Sequence, residues 1–153
     1  MITIKPHHFL DIIKLYGKGI ERFVKDEAYN HDFYSVANEI INNNQVIIKL
    51  TLFEDDICGP CKYIGNDGVC TDMIYHISSI NSKDKWNKIL DQRIMNYTDI
   101  LENSTLSARD FCEILYSKKE YIFDIWKEDD DSANKSRYDA FCDGAIKYLE
   151  RSI

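Results

Sequence analysis

The chain has 153 residues, of which 44% are hydrophobic, and its formal net charge is −7. A chain of this length is expected to form one domain that buries roughly 68–70% of its unfolded surface, so it need not depend on a metal merely to fold. The acidic balance argues against nucleic acid as a partner, because phosphate binding requires a basic face. It also disfavours an anionic membrane surface, and no run of about 18 apolar residues predicts a membrane span.

The first half of the chain predicts two strands and two helices. Residues 2–4 favour a short strand, and apolar residues from His7 to Tyr16 favour a helix that ends at Gly17-Lys-Gly19. A second helix is predicted over residues 32–41, where apolar residues recur at helical spacing. The β-branched run over residues 46–52 is typical of a strand, and the cysteine-rich loop follows it directly.

The second half of the chain is predicted to be helical. Ser107 precedes Asp110 at the spacing of a helix N-cap followed by an acidic first turn. The acidic run at residues 128–131 is most simply a solvated loop between helices. The predicted helices lie near residues 72–80, 84–97, 107–127 and 134–151. The whole pattern predicts an α+β fold that is mostly α, a single domain over residues 1–153 with five or six helices, one or two short strands and a Cys-rich loop.

Three of the five cysteines fall in one short loop, which reads Cys58-Gly-Pro-Cys61-Lys-Tyr-Ile-Gly-Asn-Asp-Gly-Val-Cys70. The N-terminus lacks the apolar run and cleavage site of a signal peptide, so a cytoplasmic location is expected. Thiols stay reduced there, which favours metal ligands or catalytic groups over disulfides. The C-x2-C-x8-C spacing therefore predicts a metal site on residues 1–71, with a helical half over residues 72–153.

Zinc sites and cubane iron–sulfur clusters usually have four protein ligands, so the loop leaves one ligand to be found. Cys112 and Cys142 lie on apolar helical stripes, which is typical of buried core cysteines. The segment Lys5-Pro-His7-His8-Phe-Leu-Asp11 offers two imidazoles and a carboxylate at the start of a helix. A carboxylate there could ligate the metal or orient a histidine by accepting its ring N–H, and the alternative is that these groups merely cap the helix.

Three kinds of site remain open from the residues alone. Zinc would accept the three thiolates plus His7, His8 or Asp11 as a closed tetrahedral set. A cubane cluster would use the same thiolates and one distant ligand. Cys58-Gly-Pro-Cys61 also looks like a thiol redox motif, but such a motif should stand at a helix N-terminus within a βαβ unit, and here a glycine-containing loop follows it.

The first seventy residues resemble a small bacterial and archaeal family, domain of unknown function 1284, whose members are described as iron–sulfur binding. The resemblance is carried by three segments in the order of that family's pattern: Lys5-Pro-His7-His8, then Tyr16-Gly-Lys-Gly19, then Asp55-Asp-Ile-Cys58 with Cys61 and Cys70 close behind. Where the family pattern has a cysteine after Pro-His-His, this chain has Asp11. The resemblance implies that Asp11 takes the fourth ligand position with an oxygen donor, which holds iron more weakly than thiolate does.

Together these observations predict a cytoplasmic iron–sulfur protein in which Cys58, Cys61, Cys70 and Asp11 hold the cluster. His7 and His8 are the candidate acid/base residues, because an imidazole titrates near neutral pH. Asp55 and Asp56 could accept N–H groups around the loop, or could simply be exposed acids. The expected partner is a small-molecule substrate or a redox protein, and the alternative function is a zinc-stabilised binding module without catalysis.

Overall fold

A computed structural model describes residues 1–151 of the chain. Its elements, in chain order, are β1 (Ile2–Ile4), α1 (Pro6–Gly17), α2 (Phe33–Asn42), β2 (Ile47–Leu50), α3 (Lys83–Thr98), β3 (Thr105–Ser107), α4 (Ala108–Ser117), α5 (Ile122–Ile125) and α6 (Asp131–Leu149), with a 3-10 turn at Lys119–Tyr121 before α5. The predicted α+β fold, mostly α, is confirmed. No helix among these residues has the length and apolar character needed to cross a membrane.

The three strands form one small sheet in the order β1-β2-β3. β1 runs parallel to β2, with Ile2 beside Ile48 and Ile4 beside Leu50, and β3 runs antiparallel to β2 on its other side. Ile4, Ile48 and Leu50 are fully buried, so apolar burial fixes the register of the central strand. The sheet therefore brings the start of α1 and the segment after β2 to the same edge of the molecule.

Two glycines allow α1 and α6 to pack backbone against backbone. A Cβ placed on Gly17 would collide with the carbonyl oxygen of Ala140, and a Cβ on Gly144 would collide with the carbonyl oxygen of Ile13. Only glycine fits where two helix backbones approach so closely. Gly17 therefore does more than end α1, because it helps to fix α1 against the longest helix of the fold.

The structure corrects two of the predicted helices and the predicted number of strands. Residues 72–80 are not helical, because Ile74 donates its backbone N–H to Asn81 and Lys83 donates to Asp72, so the segment satisfies its backbone groups across a turn. The helix predicted over residues 107–127 breaks after Ser117, whose hydroxyl bonds the carbonyl oxygen of Ile114 at 2.6 Å. β3 was not predicted, since a three-residue strand leaves almost no periodic signal.

Two further predictions concern the cap of α4 and the acidic run between the last helices. Ser107 caps α4 by accepting the N–H of Asp110 at 3.0 Å, as predicted. Residues 128–130 of the acidic run lie between α5 and α6, as expected, whereas Asp131 is the first residue of α6. Asp130 caps α6 by accepting the N–H of Ala133, and Glu128 makes a bidentate ion pair with Arg93.

Candidate metal centre

Three thiols and two imidazoles line a single cavity of about 200 Å³. They are Cys58, Cys61, Cys70, His8 and His31. His8 bonds the carboxylate of Asp55, whereas His31 accepts the backbone N–H of Phe33. The cysteines come from the loop after β2, whereas His8 comes from the first turn of α1. The parallel pairing of β1 with β2 brings these two segments together, so the structure unites the loop with the N-terminal segment across about fifty residues of sequence.

Asp55 ties the loop to the start of α1. One carboxylate oxygen accepts the backbone N–H groups of Ile57 and Cys58 at 3.1 and 3.0 Å. The other accepts the backbone N–H of Lys5 at 2.8 Å and the ring N–H of His8 at 2.7 Å. Asp55 is 3% exposed, so these four bonds replace its hydration. The expectation that Asp55 accepts N–H groups around the loop is confirmed.

Asp56 continues the same anchoring role at the surface. Its carboxylate accepts the backbone N–H of Thr3 at 2.9 Å, and its own N–H donates to the carbonyl oxygen of Thr3. Asp56 therefore extends the contact between β1 and the loop, but it is exposed and it makes one side-chain bond where Asp55 makes four.

The hydrogen bond that Asp55 accepts from His8 sets the tautomer of His8. Burial alone would raise the pKa of Asp55, but the attraction and hydrogen bond of His8, together with the loop N–H donors, hold that pKa well below its usual range. The ionised carboxylate can only accept, so Nδ1 of His8 must carry the proton. The lone pair of the neutral ring is then on Nε2, which is the form that ligates metals in carboxylate–histidine–metal arrangements.

Among residues 1–151, one group of three donors has all its ligand atoms within 4.8 Å of one another: His8, Asp55 and Cys58. This group could hold a metal ion. Both oxygens of Asp55 are already engaged by N–H donors, however, so its geometry suits an orienting residue better than a ligand. Cys61 and Cys70 line the same cavity but do not belong to this tight group.

Cys58 is a half-buried thiol whose backbone N–H bonds the carboxylate of Asp55. Burial, with a further contribution from the negative charge of Asp55, raises the pKa of Cys58 to about 12. The ammonium of Lys5, which lies 3.9 Å from the sulfur and is itself buried, opposes this shift. A metal that binds Cys58 must therefore displace a proton.

His7 faces away from the cavity and into the body of the protein. Its backbone N–H and its ring Nδ1 both bond Asp91 of α3, at 2.7 and 2.9 Å. Burial would lower the pKa of His7, but the attraction and hydrogen bond of Asp91, with a contribution from Asp11, outweigh it and raise the pKa. His7 and Asp91 therefore form a buried pair that positions α1 against α3, and His7 does not line the cavity.

The structure places Asp11 away from the three thiols. Its carboxylate pairs with Lys14 at 3.1 Å, and Asp11 is not among the residues that line the cavity. It lies one turn after His7, on the face of α1 where its charge acts on that ring. Of the residues that the N-terminal segment offered as a fourth ligand, His8 is the one that the cavity contains.

The remaining cysteines behave differently from the loop. Cys112 is fully buried in the hydrophobic core, as predicted, and Cys142 is half-buried on α6. The motif Cys58-Gly-Pro-Cys61 lies in consecutive turns with no helix after it. Burial also raises the pKa of Cys58, whereas an attacking thiol needs a lowered pKa, so neither observation favours the thiol redox alternative.

α3 supplies the part of the site that the sequence reasoning missed. Lys83 and Asn87 line the cavity, and Asp91 holds His7. These residues are four apart, which puts them on one face of the helix. Polar residues at positions i, i+4 and i+8 were the feature of the sequence that could have indicated this part of the site, but such a stripe usually marks the solvated face of a helix.

The comparisons with known proteins add no relative. No protein-family model matches the chain, and no curated protein or solved structure matches it either.

Proposed function

We propose that this protein is an iron–sulfur protein whose cluster is held by Cys58, Cys61, Cys70 and His8. One observation carries the proposal: an imidazole fixed by an ionised, fully bonded carboxylate lines the same cavity as three clustered thiols. Metal-ligating histidines almost always donate their other ring N–H in this way. His7 has a similar carboxylate partner in Asp91, and His8 differs from it by lining the cavity that holds the three thiols. The proposal replaces Asp11 by His8 as the fourth ligand.

The spread of the donors favours a cluster over a single ion. Zinc–sulfur bonds of about 2.3 Å keep all donors of one ion within about 4.6 Å of each other. The tight donor group contains only one thiol, Cys58, and Cys61 and Cys70 line the same cavity of about 200 Å³ without belonging to that group. A cluster binds each ligand to a different iron, and so suits donors that surround a cavity.

The family resemblance supports the same cofactor. The segments that carry it, Lys5-Pro-His7-His8 and Asp55-Asp-Ile-Cys58, are those that meet at the cavity through Asp55. Ile57 and Phe33 contribute apolar surface around the cavity, which helps to set the reduction potential of a cluster. We therefore read the resemblance and the geometry as support for one iron–sulfur site.

Ligation by one histidine and three cysteines would give the cluster a chemical role that ligation by four cysteines would not. Replacing thiolate by imidazole raises the potential of an iron–sulfur centre, as Rieske centres show. Imidazole is also neutral, and is more readily exchanged for an incoming oxygen ligand than a thiolate is. The corner bound by His8 is therefore the position at which a substrate would meet the metal.

The second candidate function is a zinc-stabilised module without catalysis. The compact group of His8, Asp55 and Cys58 favours it, because those donors already fit around one ion. In that case zinc would fix the loop to α1 and the site would be closed.

Purification without exposure to air tests the proposal. Iron, acid-labile sulfide and zinc are measured on the same sample, with the visible spectrum. The proposal expects iron and sulfide in equal amounts and a broad visible absorption. A colourless protein with one equivalent of zinc would establish the second candidate instead.

Matched variants assign the ligands in the same experiment. Cys58→Ser and His8→Ala should each lower the metal content, because each removes a ligand. Cys142→Ser and His76→Ala are the controls, since Cys142 and the exposed His76 lie outside the cavity. Equal metal loss in a variant and its control would show general damage to the fold and would count against the assignment.

A further inference from the structure

The part of the cavity wall that α3 forms holds an amide without a hydrogen-bond partner in the protein. Asn87 is 7% exposed, and its side chain makes no hydrogen bond to any of residues 1–151. No fully enclosed side-chain polar atom in this part of the chain lacks a partner, so the amide of Asn87 must reach open space. That space is the cavity that Asn87 lines. The amide therefore offers two N–H donors and one acceptor oxygen to a molecule bound in the cavity.

Two further groups on this wall have N–H donors to spare. The ammonium of Lys83 gives one of its three donors to Asp72, at 3.3 Å, and lies over the ring of Tyr29 at 5.3 Å. The Nδ1 atom of His31 accepts the backbone N–H of Phe33 at 3.4 Å. The neutral His31 ring therefore carries its proton on Nε2, where it is free to donate.

Unused donors outnumber unused acceptors on this wall. One oxygen of Asp72 accepts the backbone N–H of Met73 and the other accepts from Lys83. The side-chain oxygen of Asn87 is an open acceptor, but it stands against its own N–H₂ group, the remaining donors of Lys83 and the ring N–H of His31. This excess of donors selects a ligand rich in acceptor oxygens. The whole cavity of about 200 Å³, which the proposed metal centre shares, is smaller than the roughly 300–1,000 Å³ of pockets for drug-sized ligands, so that ligand must be small.

We propose that this wall, formed by Asn87, Lys83 and His31, binds a small carboxylate beside the metal centre. Its carboxylate oxygens take the amide N–H of Asn87 and the ammonium of Lys83, and the rest of the molecule points toward the corner bound by His8. The inference deepens the proposed function, because it names the substrate class of the same site. The carboxylate-binding wall itself is built from α3 and the segment before α2, and does not depend on which metal the cysteines hold.

Glycolate is the probe, titrated into the protein as purified and followed by calorimetry and by the side-chain amide signal of Asn87. Glycolamide, which has nearly the same shape but no charge, is the control ligand, and inorganic phosphate tests for general anion binding. The proposal expects saturable binding of glycolate, with at least tenfold weaker binding of glycolamide and phosphate. Absence of saturable glycolate binding, or equal binding of phosphate, would overturn it.

Two variants on α3 assign the contact. Asn87→Ala and Lys83→Gln should each weaken glycolate binding about tenfold, as expected for the loss of one hydrogen bond to a charged group. Lys85→Gln is the matched control, because it removes the same charge from an exposed position on the same helix. Unchanged affinity in both variants would contradict the proposal.

Metal content, measured on every sample, separates this inference from the proposed function. Asn87→Ala should keep its metal and lose glycolate, which supports the carboxylate site. A protein that binds glycolate through Asn87 but carries no iron would refute the cluster and leave the carboxylate site standing.

Discussion

Replacing Asp55 by Asn tests the link between the loop and α1. The variant keeps the shape of the side chain but removes its charge and turns one of its two oxygens into an N–H₂ group. Each oxygen of Asp55 accepts two N–H donors, so two buried donors lose their acceptor whichever way the amide turns. Hydrogen bonds to a charged group contribute roughly 1.5–3 kcal/mol each, which gives an expected loss of about 3–6 kcal/mol.

That loss is large beside the 5–15 kcal/mol by which a typical domain is stable, and denaturant unfolding at neutral pH measures it. Asp56→Asn is the matched control, because the exposed neighbour has one side-chain bond and should cost under about 1 kcal/mol. The two variants should also differ with pH. The pKa of Asp55 is lowered by folding, so its contribution is present above the unfolded pKa near 4 and is lost as the pH falls.

Asp55→Asn should therefore flatten the acid side of the stability profile, and it should weaken metal binding about 10- to 100-fold by releasing the ring of His8. Equal stability and equal metal retention in the two variants would refute the role given to Asp55.

Three further predictions follow from other parts of the structure. Asp91→Asn should lower the pKa of His7, which the ring signals of His7 in NMR would report. Because folding raises that pKa above 6.5, the pair stabilises the fold fully below pH 6.5 and loses its effect as the pH rises through the folded value. A variant that is equally destabilised at pH 6 and at pH 9 would contradict the pairing. Gly144→Ala should lower the melting temperature on the order of 5 °C, because overpacking costs about 1–3 kcal/mol. Gly59→Ala is the control: its added Cβ meets nothing closer than 3.8 Å, so it should melt within about 2 °C of the wild type. Similar melting temperatures of the two variants would disprove the close helix contact. Cys112→Ala should destabilise the fold by about 1 kcal/mol through a small cavity without changing metal content, and loss of metal would show that Cys112 is a ligand after all.

Local patterns predicted most of the fold and part of the site. The helices α1, α2 and α3 and the strand β2 follow from apolar periodicity and β-branched composition, and Ser107 follows from the chemistry of capping. The loop thiols were evident because their spacing is short. These features depend on residues close together in sequence, which is why the sequence alone was enough.

The features that were missed depend on contacts between distant residues. His7 and Asp91 are 84 residues apart, and nothing near either one indicates the other. That His8 lines the cavity and Asp11 does not depends on the direction in which α1 leaves β1, which the sheet sets. The helix predicted over residues 72–80 failed because pairing across a turn outweighed the local apolar pattern.

The most direct measurement is pulsed electron paramagnetic resonance of the reduced protein, with nitrogen-15 introduced through histidine. The proposed site predicts one strongly coupled histidine nitrogen, which disappears in His8→Ala and persists in His76→Ala and in Asp11→Ala. A paramagnetic cluster without any coupled nitrogen, or a coupling that survives in His8→Ala, would contradict the assignment of His8 as the fourth ligand.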